Sequence, residues 1–405
     1  MAAIFEGIRV LDLTRIIAGP LCTQNLADMG ATVYKIEKPG EGDDTRRMGP
    51  FLPEADGSHS NDSALYMAYN RGKHSITVDI AQPEGATLVR ELARRCDVVV
   101  ENYKVGALRK YGLDYDSLRA LRPDLIYCSV TGFGQSGPMA SRPAYDFILQ
   151  GMAGMMSTCG QPEGTPGSEP MRTAIPITDV VTGLYATIAV TSAIYHRQRT
   201  GEGQHIDASL LDASVAFNGH LAVGYLMNGK VPQRAGNTNP IAAPSEVFAC
   251  ADGHLIVAAG NNPQFQGLCR VLGLPALGED TRYATNALRV ANRDSLRADL
   301  EAPVKAWPKA ELLAALDAAG VPCGPINDMA QVFAEPQTRH RELALTLRHG
   351  RGVDIPAVRS PLRFSATPVA HRSPPMLGQH TNQVLAEILG KSAQEVQALR
   401  ERSVV

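Results

Sequence analysis

Asp179 stands at the head of a nearly uncharged run, Val180 to Tyr195, that closes on His196-Arg197-Gln198-Arg199. The pattern predicts a buried helix from Asp179 to Arg199 with the aspartate at or beside its N-cap, and the run is too short and too polar for a membrane span. Such a carboxylate has two readings. As a cap it accepts hydrogen bonds from first-turn N–H groups. As a nucleophile it is already ionised at neutral pH without a helper base, and the helix amino end stabilises its charge. An oriented carboxylate is too weak to attack an amide but strong enough for a thioester, with which it forms a mixed anhydride. The residues alone leave both readings open.

Other groups narrow the chemistry. Lys38, Lys104, Arg109 and Lys110 make a scattered set of cations that together suit a polyanionic ligand. Gly132-Phe133-Gly134-Gln135-Ser136-Gly137 fits a dinucleotide fingerprint, but Pro138 and Pro143 follow where a helix should open. No acidic residue lies between Phe147 and Pro162 to hold a ribose hydroxyl, so the run reads as a glycine loop. The seven cysteines contain no C-x-x-C pair, and neither they nor the histidines show metal-ligand spacing. We therefore expect reduced thiols, no metal and no tightly bound cofactor.

The chain of 405 residues, 44% hydrophobic with a net charge of -2, predicts a large core and no cationic field for nucleic acid. Its first residues have neither the apolar run of a secretory signal nor the composition of a transit segment, so a cytoplasmic protein with no membrane attachment is expected. Apolar runs at Ile8 to Leu13, Thr32 to Glu37, Ser75 to Asp79, Val98 to Val100 and Leu125 to Val130 alternate with helical patterns at Pro20 to Met29, Pro83 to Cys96 and Tyr115 to Leu121. That alternation predicts an α/β, Rossmann-like parallel sheet, with ligands outside the carboxyl ends of its strands. A strand at Gln204 to Ala208 and one helix from Ser209 to about Met227 complete it. After Pro232 a hairpin around Ala251-Asp252-Gly253 and three helical patterns predict a smaller α+β domain. The expected division is 1–228 with 330–405 as the large domain and 229–329 as the small one.

Asp12-Leu-Thr-Arg-Ile-Ile-Ala-Gly-Pro20, Lys35-Ile-Glu-Lys-Pro-Gly-Glu-Gly-Asp43, Val100-Glu-Asn-Tyr103, Tyr145-Asp146, Asp179-Val-Val-Thr-Gly183, Thr200-Gly-Glu-Gly-Gln204, Val321-Pro-Cys-Gly-Pro-Ile326 and Leu377-Gly-Gln-His380 stand in this order along the chain. Together they resemble the family III coenzyme A transferases (CaiB/BaiF family), in particular the succinyl-CoA:dicarboxylate, glutarate-type members. The resemblance implies Asp179 as nucleophile, with coenzyme A and acyl-CoA as substrates. It implies coenzyme contacts at Ile16, Ile17, Ala18, Lys38, Val78, Asn102, Tyr103, Ala107 and Lys110. It also implies an interlocked homodimer. The oxalate-specific relatives carry a run of four glycines over the site where this chain has Ala235-Gly-Asn-Thr-Asn-Pro-Ile241, so a stiffer segment is expected here.

Transfer from succinyl-CoA to a dicarboxylate of four to six carbons requires a partner for the distal charge. Arg46 and Arg172 are the expected partners, because a guanidinium pairs bidentately with a carboxylate. Met48 and Tyr145 are expected to line the acid. Two competing functions remain open at this point. The α-methylacyl-CoA racemases have a histidine before the aspartate of the Tyr145-Asp146 pair, where this chain has tyrosine. A noncatalytic acyl-CoA-binding protein would retain the fold without the chemistry.

Overall fold

The computed structural model describes residues 3–53 and 59–405. The chain forms two compact units, one of residues 1–155, 172–230 and 337–405 and one of 156–171 and 231–336. Residues 156–171 and 330–336, assigned above to the large domain, fall in the second unit, and 229–230 fall in the first.

The larger unit is built on six parallel strands: β1 (Arg9–Leu13), β2 (Thr32–Glu37), β3 (His74–Thr77), β4 (Val98–Glu101), β5 (Ile126–Thr131) and β6 (His205–Ser209). Their order across the sheet is 3-2-1-4-5-6, the doubly wound order whose ligands sit where the order reverses, between β1 and β4. The pleat sends alternate residues to opposite faces. Val99 joins a core with Leu11, Leu13 and the helix Pro83–Ala93, whereas Val98 and Val100 join another with Val10 and Cys128. Burial on both faces is why these strands read as continuous apolar runs.

Helix α1 (Ala18–Asp28) follows β1, α2 (Asp146–Met152) follows the glycine loop, and α3 (Ile177–Thr200) packs against α1. Ala186, Val190, Ala193 and Ile194 of α3 are buried in the second core. By length and composition α3 alone among the described helices could cross a membrane. Gly183 lets α3 approach α1, because a Cβ there would lie 2.7 Å from the Ala18 carbonyl oxygen. The helix expected from Ser209 to Met227 is two helices, Leu210–Phe217 and His220–Asn228. Gly219, at φ 53° and ψ -118°, breaks it in a conformation that other residues rarely adopt.

The smaller unit contains an antiparallel sheet of Ser245–Cys250, Gly253–Ala258 and Cys323–Pro325. Arg289, fully buried, organises it by donating to the carbonyls of Ala243, Tyr283 and Gly260 and to Asn262 Oδ1. The segment 235–241 is tied into the same unit. Val247 N–H donates to the Asn237 carbonyl at 3.1 Å, Asn239 N–H to that of Ser245 at 2.8 Å, and Arg293 to that of Asn239 at 2.5 Å.

Candidate active site

Two cavities of about 410 Å³ each open at the carboxyl ends of the parallel strands. The first is lined by Ile16, Ile17 and Ala18 after β1, by Asn102 and Tyr103 after β4, and by Tyr145 and Asp179. The second is lined by Lys38 after β2, Val78 after β3, and Lys110. Arg15, Asp44, Tyr103 and Ala107 border both. All nine expected coenzyme contacts therefore gather along one groove, and Asp179 and Tyr145 share its first cavity.

Asp179 is the third residue of α3 rather than its cap. The helix starts two residues earlier, with Pro176 at the N-cap and no side-chain hydrogen bond there. The capping expectation fails because the first turn is held from elsewhere. Asp146, the first residue of α2, accepts from Thr178 N–H at 2.8 Å and from Thr178 Oγ at 2.7 Å with one oxygen, and from Gln150 Nε2 at 2.8 Å with the other. Asp146 is thus engaged in holding the first turn of α3, and Tyr145 beside it, where a racemase has its histidine, is an exposed N-cap residue.

Among the described residues Asp179 makes no ion pair. Burial raises its carboxyl, and the negative charge of Asp146 raises it further, to about 7. Its charge in turn contributes to raising the Tyr69 phenol, after burial, which places Tyr69 near the carboxylate. Nothing in the local sequence marked Tyr69. If the carboxylate is the reacting form, kcat/KM for an acyl-CoA rises with pH through an acid limb near 7. Asp146→Asn removes a like charge and is expected to shift that limb to lower pH, read from a pH profile at fixed ionic strength. A limb that stays in place would show that Asp146 acts only by holding Thr178.

The three expected acid-binding residues outside this cavity lie elsewhere. Arg46 is only 5% exposed; its Nε and Nη2 pair with the two Glu37 carboxylate oxygens at 2.7 and 2.8 Å, and its guanidinium lies 3.6 Å from the centroid of Tyr66. That pairing leaves it no open face toward a ligand. Arg172 is exposed, over the ring of Phe147 at 5.2 Å, and Met48 is exposed beyond a short 3-10 turn. The cations that line the Asp179 cavity are Arg15, Lys104 and Arg142. Sequence spacing gave Arg142 no distinction, since it lies in the Pro-rich stretch after the glycine loop.

Comparison with known proteins identifies the family. The family described as CoA-transferase family III matches residues 5–381. The chain is 48% identical over 385 residues to a succinate–glutarate CoA-transferase of Agrobacterium fabrum, covering 95% of each. It is 40% identical over 401 residues to the human succinyl-CoA:glutarate CoA-transferase, covering 99% of this chain and 89% of that one. A solved CaiB/BaiF family protein from Brucella suis superposes with a TM-score of 0.85 at 46% identity, covering 96% of this chain and all of that one. The chain belongs to CoA-transferase family III, enzymes whose substrates are CoA thioesters.

Proposed function

We propose that the protein transfers coenzyme A from succinyl-CoA to a dicarboxylate of four to six carbons, glutarate foremost, with Asp179 as nucleophile. The observation that carries this reading is a single one: Asp179, at the head of a helix and without an ion pair among the described residues, opens into the groove formed by the loops after β1 and β4. The names of the relatives supply the acids.

The chemistry exchanges acyl derivatives of similar energy. An Asp179 oxygen attacks the donor thioester carbon, the C–S bond breaks, and coenzyme A thiolate leaves a mixed anhydride. The thiolate attacks the Asp179 carbonyl of that anhydride, releasing the donor acid and forming an aspartyl thioester. The acceptor carboxylate attacks this thioester, forming a second anhydride, and the thiolate then takes the acceptor acyl group and restores Asp179. The phosphates of coenzyme A suit Lys38, Lys110 and Arg15, and the distal carboxylate of the acid suits Arg142, because Arg46 is already paired.

The interlocked homodimer is part of the same proposal. Leu184, Tyr185, Ile188 and Tyr195 on α3 are exposed, and Leu226 and Met227 are 80% and 81% exposed, large apolar side chains of the kind that a subunit interface covers. Light scattering should give twice 43.3 kDa.

Incubation with succinyl-CoA and each of a series of mono- and dicarboxylates, with acyl-CoA products identified by mass, tests the function. Glutaryl-CoA should dominate, and Arg142→Ala should raise KM for glutarate roughly tenfold or more while changing KM for succinyl-CoA less. Transfer to monocarboxylates in preference to dicarboxylates would overturn the assignment of the acid.

A further inference from the structure

From Thr14 N to Ile16 N, five consecutive main-chain polar groups in the loop after β1 are held by four side chains, two from strands of the sheet and two from the loops that follow strands. Asp12 Oδ1 accepts from Thr14 N–H at 2.9 Å, and Lys35 Nζ donates to the Thr14 carbonyl at 2.8 Å. Asn102, in the loop after β4, accepts from Arg15 N–H through Oδ1 at 2.9 Å and donates to the Arg15 carbonyl through Nδ2 at 2.7 Å. Asp43 Oδ1 accepts from Ile16 N–H at 3.3 Å. A loop tied this closely is a loop whose conformation is imposed.

The imposed conformation is unfavourable. Ile16 sits at φ +74°, and of the three described non-glycine residues with positive φ it alone is β-branched. Left-handed backbone in such a residue persists only where its surroundings determine it, and it concentrates at functional sites. Here it is the residue that turns the chain from β1 into α1, at the point where the strand order reverses, and it lines the cavity of Asp179 together with Ile17 and Ala18. The amino end of α1 that follows has no side-chain cap.

We propose that Asn102 is a positioning residue for transfer: its amide spans the crevice between β1 and β4, locks Arg15 from both sides and so holds Ile16 in the left-handed turn that shapes the Asp179 cavity. The residue type fits the task, since among side chains of this size only a carboxamide offers a donor and an acceptor side by side. Aspartate keeps the acceptor for Arg15 N–H but sets a second oxygen against the Arg15 carbonyl. The proposal rests on the transfer reading above and differs from the expectation that Asn102 contacts coenzyme A itself. In a contact role Asn102 acts on the ligand; in the clamp it acts on Ile16.

That difference is measurable through the backbone strain. Glycine occupies the left-handed region freely, so Ile16→Gly removes the tendency of the turn to relax and makes the clamp dispensable. A kinetic cycle of Asn102→Ala, Ile16→Gly and the double variant is therefore decisive. Asn102→Ala and Asn102→Asp are each expected to lower kcat/KM for succinyl-CoA by roughly 30- to 100-fold, through misplacement of the reacting groups. In the Ile16→Gly background the same Asn102→Ala change should cost about threefold or less. Equal losses in both backgrounds would overturn the clamp and return Asn102 to direct ligand contact. A loss of thermal stability with kcat/KM unchanged would make Asn102 merely structural and would also overturn it.

A crystal structure of Asn102→Ala reads the clamp without any assay: Ile16 should leave positive φ, and its retention there would refute the proposal. Absence of transfer in the parent enzyme would instead refute the transfer reading and leave this structural result standing.

Discussion

Asp179→Asn is expected to lose CoA transfer by about 10⁴-fold or more, since an amide neither attacks a thioester nor forms the anhydride. The same variant should be more stable than its parent at alkaline pH. Burial and Asp146 raise the Asp179 carboxyl to about 7 in the folded chain, against an ordinary value of 3.8. A group raised in this way is harmless to the fold while protonated, below pH 3.8, and subtracts stability progressively as pH climbs from there through 7. The full gap corresponds to about 4 kcal/mol, and partial solvent access reduces the expected gain to about 2 kcal/mol at pH 8. At pH 5 the parent has incurred only part of that penalty, so the advantage of Asn should be smaller. Urea unfolding of both proteins at the two pH values measures it, and hydroxylamine trapping after exposure to succinyl-CoA should mark Asp179 in the parent alone. An Asp179→Asn enzyme keeping more than about one part in a hundred of the activity would exclude the covalent route. An advantage that does not grow with pH would exclude the raised carboxyl.

A carboxylate placed at a cost to folding explains why this part of the site was legible in the sequence. An acid at the head of an apolar run stands out because nothing nearby neutralises it. The strands were legible for a similar reason: Val98, Val99 and Val100 are each fully buried on one or other face of a parallel sheet, and such a strand leaves an uninterrupted apolar run. What could not be read was which charges the fold consumes. Arg46 has the spacing of a ligand-binding arginine, yet its partner Glu37 is nine residues back on a strand, and only the turn through Gly42 and Asp43 brings the two together. The start of α3 was misplaced because the group that secures it, Asp146, is 32 residues from Thr178. The hold of Asn102 on Arg15 carries no signal either, since a side chain that grips backbone leaves no trace in the residue types it grips. Local pattern reports burial well, and reports long-range polar pairing hardly at all.

Pairing of that kind also underlies the groove, and breaking it should produce the largest loss of stability. Asp12 and Lys73 are both fully buried and 3.0 Å apart; the ammonium also donates to Asn70 Oδ1 and the Pro20 carbonyl, and Asp12 also accepts from Thr14 and Thr23. Beside them Lys35 pairs with the buried Asp43 at 2.9 Å. Burial alone would raise Asp12, but Lys73 and Lys35 outweigh it and hold the carboxyl below its ordinary value. Burial lowers Lys73 to about 8 against the pull of Asp12, which leaves it protonated at neutral pH. Lys73→Met strands the Asp12 charge in a dry interior and should cost about 3–5 kcal/mol at pH 7, where Lys73 of the parent is still protonated. The pH dependence identifies the cause. In the parent, Asp12 contributes stability above pH 3.8 that is lost as pH falls through its lower folded value. In Lys73→Met, burial prevails and Asp12 takes up a proton more readily, so the difference between the two proteins should narrow as pH falls toward 5. Asp12→Asn added to Lys73→Met removes the stranded charge and should recover part of the loss. Because Asp12 also holds Thr14, at the root of the turn that presents Ile16, the single variant should lose transfer along with stability. A cost below about 1 kcal/mol, or one that is constant from pH 5 to 7, would show that water or a rearranged Lys35 already neutralises Asp12.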